Sequence, residues 1–134
     1  MIVDRANSDF EKVYDFTVQD HNDLHNIEST WLEMEIEKIK NDPNRKIILL
    51  THHGVSLSGT SAPKFINSDI STAFATDLNY IITNPVIACI SGHSHYSYDF
   101  HVNNVRMISN QLGYPGENTG YSNKVIAFSE KAIQ

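Results

Sequence analysis

The sequence has little cysteine, no long apolar run and no apolar segment near residue 1. It contains one cysteine, Cys89, so no disulfide can form within the chain, and a reducing compartment suits it. Its longest apolar runs, residues 47–50 and 85–90, are far shorter than the roughly 18 residues that a membrane-spanning helix needs. Residues 1–10 are too polar to form the apolar core of a secretory signal. We therefore expect a cytoplasmic protein.

Glycine and positive charge are scarce as well. The first glycine is Gly54, and 10 basic residues stand against 16 acidic ones, which gives a net charge of -6. This balance does not favour a nucleic acid or a membrane surface as partner. The 134 residues, of which 40% are hydrophobic and 19% charged, predict a single domain over residues 1–134. Residues 4–28 show no sustained helical or strand period, so we expect residues 1–28 to be irregular.

Apolar runs in the rest of the chain predict the strands. The first two runs lack polar alternation, which is typical of strands that are covered on both faces. Two later runs flank Asn103-Asn104, a dipeptide that tolerates the positive φ of a tight hairpin turn. With one further run near the C-terminus, the predicted strands are residues 46–51, 86–90, 98–102, 105–109 and 124–128.

Two helices are predicted among these strands. Thr30 and Glu33 form a capping-box pattern at the start of a helix over residues 30–41, and Pro43 stops it. Apolar residues four positions apart predict a second helix over about residues 68–79. The succession of helices and strands indicates the α/β class.

The histidines are the most informative residues, because four of the seven follow predicted strands directly. His52 and His53 end the first strand, and His93 and His95 follow the second. In open α/β sheets, ligands bind beyond the carboxyl ends of strands. If the segment is extended, His93 and His95 point to the same side and can face one pocket. Imidazoles suit zinc, iron and similar ions, although the spacing alone is also compatible with ordinary polar loop residues.

Three motifs occur in a fixed order around these histidines. They are Thr51-His52-His53, then Gly92-His93-Ser94-His95, then the loop from Ser109 to Glu117. Over about residues 30–128 the chain thereby resembles the C-terminal part of the calcineurin-like metallophosphoesterases. The resemblance implies a partial calcineurin-like fold, in which mixed β-sheets flanked by helices form an α/β/β/α-type sandwich that lacks its N-terminal half.

The resemblance also implies a chemistry and a set of residues. The implied reaction is hydrolysis of a phosphomonoester or phosphodiester by metal-activated water, on a phosphorylated substrate of unknown class. The implied cofactors are divalent metal ions such as Mn, Fe or Zn. The metal ligands that it implies are His52, His93 and His95. The supporting or substrate-contacting residues are His53, Asn110 and Tyr114.

Half of the family's metal site has no counterpart in the sequence. The motifs Asp-x-His, Gly-Asp-x-x-Asp and Gly-Asn-His, which supply a bridging carboxylate and further ligands, are missing, and we interpret Asp23-Leu24-His25 as a chance match. Without a bridging carboxylate two cations would repel each other, so at most one metal is expected. No catalytic residue is assigned. Two interpretations stay open. The first is an enzyme whose missing half comes from another polypeptide or from a longer gene product of which this sequence is a fragment. The second is an inactive remnant that serves as an interaction or structural module or has no function. The partners considered are a partner chain or a second copy through self-association.

Overall fold

The described residues form a mixed four-stranded sheet and one long helix, which confirms the predicted α/β class. A computed structural model describes residues 12–66, 68 and 70–128. The regular elements are the helix α1 (Val18–Ile39) and the strands β1 (Ile47–Thr51), β2 (Val86–Ser91), β3 (Tyr98–Val102) and β4 (Val105–Ser109). Among the described residues, no helix combines the length and hydrophobicity that crossing a bilayer requires.

The strand order across the sheet is β1-β2-β4-β3. β1, β2 and β4 run parallel, and β3 returns antiparallel to β4 as the predicted hairpin. Asn103 and Asn104 take φ values of 48° and 65°, as the tight turn requires. The parallel register brings the carboxyl ends of β1 and β2 side by side, with Thr51 opposite Ser91. The histidines that follow these two residues therefore start from neighbouring positions.

The core lies around the two central strands. Met107 on β4 is 1% exposed and pairs with Cys89 on β2, which in turn pairs with Leu49 on β1. Burial raises the pKa of the Cys89 thiol to about 12, so the thiol stays protonated at neutral pH. This agrees with the role of Cys89 as a small buried hydrophobe.

β1 is less covered than its sequence predicts. Its outer edge has no neighbouring strand among the described residues, and Leu50 is 76% exposed. α1 covers part of β1 and leaves a groove of about 370 Å³ between Trp31, Ile36 and the strand. The prediction of a strand buried on both faces is therefore wrong for β1 in the described part of the chain, because Leu49 packs into the core while Ile48 and Leu50, which share the opposite face, stay exposed.

α1 begins earlier than predicted. Thr17 caps it: the Thr17 hydroxyl accepts a hydrogen bond from the Asp20 N–H at 3.1 Å, and the Asp20 carboxylate accepts one from the Thr17 N–H at 2.9 Å. Residues 18–28 are thus helical rather than irregular, while residues 1–11 lie outside the described residues. The half-buried stripe of this first half carries His21, His25 and Ser29, and these polar side chains hide the helical period from a hydrophobicity pattern.

Two other predicted elements are wrong. The region predicted as a helix over residues 68–79 contains two short 3-10 turns, Ser71–Ala73 and Asn79–Ile81, and Ala75 forms a β-bridge to Gly54 between them. Residues 124–128 form no strand, although their composition is apolar. Val125 is 97% exposed, so its side chain makes little of the packing that favours a strand.

The β3–β4 hairpin carries an ion pair that should make stability depend on pH. The Arg106 guanidinium donates to both Asp99 carboxylate oxygens at 2.8 Å and, as the first of several causes, lowers the pKa of Asp99 from 3.8 to about 2. Since the folded pKa lies below the unfolded one, the pair stabilises the fold above about pH 4 and this contribution is lost as the pH falls toward 2.

Asp99→Asn should therefore lower the free energy of unfolding at pH 7 by about 0.2–1 kcal/mol, the range of exposed ion pairs. The difference from wild type should shrink toward zero near pH 2. Urea unfolding of both proteins at pH 7, 4 and 2 measures it. A difference that persists unchanged at pH 2 would show that Asp99 does not act through its charge.

Candidate metal site

Three histidines meet at the carboxyl ends of β1 and β2. One ring nitrogen from each of His52, His53 and His93 lies within 4.8 Å of the other two. The closest pair is His52 Nε2 and His93 Nδ1 at 3.0 Å. Two imidazole nitrogens that share a tetrahedral zinc ion are about 3.3 Å apart, given Zn–N bonds of about 2.0–2.1 Å. The three side chains therefore fit a single divalent ion with small adjustments of their rings.

The parallel pairing of β1 and β2 brings the three histidines together. The parallel pairing of β1 and β2 continues one residue beyond the strands, where the Gly92 N–H donates to the His52 carbonyl at 3.0 Å. This bond fixes the two histidine-bearing segments side by side. Thr51 closes the turn after β1, since its hydroxyl donates to the His53 carbonyl at 2.7 Å. The backbone thus places His52 and His53 beside the segment that carries His93.

A carbonyl group orients the His93 ring. His93 Nε2 lies 3.1 Å from the Ala73 carbonyl oxygen, which accepts and cannot donate, so the hydrogen belongs on Nε2. Nδ1 then keeps its lone pair and faces His52. A hydrogen bond from the far ring nitrogen to a backbone carbonyl is the usual way in which proteins orient a metal-binding histidine.

His95 lies in a different group from the one predicted. His93 and His95 have φ values of 65° and 49°, so the segment is not extended and the same-side argument does not hold. His95 Nδ1 lies 2.7 Å from the Glu117 carboxylate, and the His95 ring packs edge-on against Tyr114 at 4.7 Å between centroids. The structure brings His53 rather than His95 together with His52 and His93, and ligation by His95 stays a prediction.

The loop around His95 is held by Glu117. The Tyr114 N–H donates to the same carboxylate oxygen at 2.8 Å and, together with His95, holds the pKa of Glu117 below its usual value. The Asn110 side chain bonds the backbone of Ser122: its amide donates to the Ser122 carbonyl at 2.8 Å, and its oxygen accepts from the Ser122 N–H at 3.0 Å. Asn110 therefore supports the chain after the loop, and Tyr114 supports His95.

Two further histidines lie closer to this site than the sequence indicates. His53, predicted as a supporting residue, has a ring nitrogen within 4.8 Å of those of His52 and His93, so it can offer a ligand atom of its own. His21 packs edge-on against His53 with 6.3 Å between ring centroids. His21 lies in the first turn of α1. Its place beside His53 could be predicted only if the helix were known to begin at Val18.

Comparison with known proteins finds a viral relative. The chain is 34% identical over 120 residues to the uncharacterized protein L509 of Acanthamoeba polyphaga mimivirus. The match takes in 85% of this chain and 41% of the mimivirus protein, so this chain spans about two fifths of the length of that relative. No protein-family model and no solved structure matches the chain.

Proposed function

We propose that this chain carries one half of the metal centre of a phosphoesterase that hydrolyses phosphomonoesters or phosphodiesters. The observation that supports the proposal is the convergence of His52, His53 and His93 at the carboxyl edge of the sheet. A divalent ion held there would polarise a phosphoryl oxygen and activate water. In this proposal the sheet is one layer of a calcineurin-like sandwich, and the Gly-His-Ser-His segment is the motif that this family uses for metal binding.

The kind of ligand in the triad limits the number of divalent ions that it can hold. The described cluster contains three neutral imidazoles and no carboxylate. A second cation close by would be repelled without a bridging negative charge, so the triad suits one ion. A complete dinuclear centre needs carboxylates from polypeptide beyond the matched motifs. The mimivirus relative is long enough to supply such a part, since 41% of its length corresponds to this chain.

Hydrolysis of bis-p-nitrophenyl phosphate in the presence of Mn²⁺ tests the proposal. We expect a slow rate that exceeds that of Mn²⁺ alone and is lost in His93→Ala. His101→Ala is the matched control, because His101 is exposed on β3 and lies outside the triad. Equal rates for the wild type and His93→Ala would refute a phosphoesterase site at the triad.

A second candidate function, an interaction module, rests on one exposed apolar surface. We define the α1–β1 surface by side chains that are exposed on the helix or on the edge strand: Leu24, Ile27, Trp31, Met34, Ile48 and Leu50. Within the described residues, the outer edge of β1 also offers backbone groups that no neighbouring strand uses. An exposed edge with apolar side chains is a template for an added strand. The occupant that we propose is a strand-bearing segment corresponding to the part of the mimivirus relative outside the match.

Mixing the chain with the unmatched part of the mimivirus protein tests this occupant by gel filtration. A complex should form with the wild type and be lost in Leu50→Arg and Trp31→Arg. Val125→Arg is the control, since Val125 is 97% exposed and lies outside the α1–β1 surface. Absence of a complex with the wild type, or a homodimer that Leu50→Arg disrupts, would contradict the proposed occupant.

A further inference from the structure

The segment that presents His93 has an unusual backbone. His93 and His95 both adopt left-handed φ values, of 65° and 49°, which residues with a side chain seldom take. Such conformations persist where surrounding contacts over-determine them. The Ser94 hydroxyl provides one of these contacts by donating to the Thr60 carbonyl at 2.8 Å. The larger set of contacts comes from one residue outside the segment, Gln111.

The Gln111 carboxamide contacts this segment on both sides of His93. Its Oε1 accepts a hydrogen bond from the His95 N–H at 2.8 Å. Its Nε2 lies within hydrogen-bonding distance of the Gly92 carbonyl at 3.1 Å and the Tyr96 carbonyl at 3.2 Å. It also lies 3.1 Å from the Ser94 hydroxyl and 2.8 Å from that of Ser109. One neutral group thus acts as donor and acceptor for the same short segment.

Gln111 is itself held in place by its neighbours. It follows β4, which pairs with β2 in the middle of the sheet. Its backbone N–H donates to the Ser97 hydroxyl at 3.0 Å, and its carbonyl accepts a hydrogen bond from the Thr119 hydroxyl. The carboxamide therefore extends from a fixed point of the sheet to the segment that carries His93.

We propose that Gln111 is a positioning residue for the metal site, which sets the left-handed turn that directs His93 at His52. This inference rests on the proposed metal site. The positioning role needs both atoms of the carboxamide. A side chain that only accepts hydrogen bonds would lose the bonds to the Gly92 and Tyr96 carbonyls, and an apolar side chain would lose every side-chain bond. Without these bonds the segment relaxes toward ordinary backbone angles, and the His93 Nδ1 no longer faces His52.

Binding of Co²⁺ to the wild type, Gln111→Met and Gln111→Glu tests the inference, because Co²⁺ reports ligand geometry in its visible absorption. Both variants should bind Co²⁺ about 10–100-fold more weakly, as is typical when a residue that orients a ligand is removed. Their visible bands should also change shape. Gln19→Met is the matched control, because Gln19 bonds only Asp23 on the exposed side of α1 in the described structure and should leave affinity unchanged.

The outcomes separate the inference from the proposed function. If the wild type binds no Co²⁺ at the triad, the proposed metal site is wrong. If the wild type binds and both variants match it within about twofold at a temperature where all are folded, the positioning role of Gln111 is overturned. Should a variant be partly unfolded, the rise in melting temperature on adding Co²⁺ replaces the titration. A rise equal to that of the wild type would likewise overturn the positioning role.

Discussion

Replacing His93 with alanine should weaken divalent metal binding more than about 100-fold, because removal of residues that merely support a ligand already costs 10–100-fold. His93 is the member of the triad that joins the two strand ends. Its ring centroid lies 4.8 Å from that of His52 and 4.3 Å from that of His53. Without it, the remaining two imidazoles come from adjacent residues of one strand end, and the contribution of β2 is lost.

Calorimetric titration with Zn²⁺ measures this loss. His101→Ala should change the affinity by less than about twofold, because no ring nitrogen of His101 belongs to the described cluster. The His93→Ala protein should keep its fold, since His93 is only half buried. Equal affinities of His93→Ala and the wild type would mean that the metal binds elsewhere on the chain.

Met107→Ala should produce a large loss of stability, about 2–5 kcal/mol in the free energy of unfolding, as for other fully buried large-to-small substitutions. Met107 is 1% exposed on the central strand β4 and belongs to the core cluster with Val105 and Cys89. Truncation leaves a cavity in the core packed on the face of the sheet, and β4, which pairs with a strand on each side, can relax only in part to fill it.

Met34→Ala is the matched control for this prediction. Met34 lies on α1 with 56% of its surface exposed, so its truncation should cost less than about 0.5 kcal/mol. Urea unfolding followed by circular dichroism gives both values. A cost for Met107→Ala as small as that for Met34→Ala would contradict the place of Met107 in the core cluster.

The four strands of the sheet could be predicted from the sequence because their signals are local, whereas the apolar run at residues 124–128 predicted a strand that does not form. The runs at β1 and β2 and the Asn103-Asn104 turn each depend on a few neighbouring residues. The start of α1 could not be predicted in this way, since its half-buried stripe carries His21 and His25 in place of apolar residues. Whether β1 is central or at an edge depends on the whole sheet, and a strand's own residues do not determine it.

In the candidate site, too, the residues marked by local signals could be predicted and the others could not. His52 and His93 could be found because each follows an apolar run, and parallel strands place such residues together. That His53 lies beside His52 and His93, while His95 lies beside Glu117, could not be predicted. The direction of His95 depends on the left-handed backbone at His93 and His95, a segment that Gln111, distant in sequence, contacts through hydrogen bonds.

Metal content of the purified chain, measured by elemental analysis after loading with Zn²⁺ and dialysis, tests the account most directly. We predict one ion per chain in the wild type and in His95→Ala, and well under half an ion per chain in His53→Ala. The structure groups His53 with His52 and His93, while His95 pairs with Glu117. Loss of the ion in His95→Ala together with full occupancy in His53→Ala would contradict the histidine triad as the metal site.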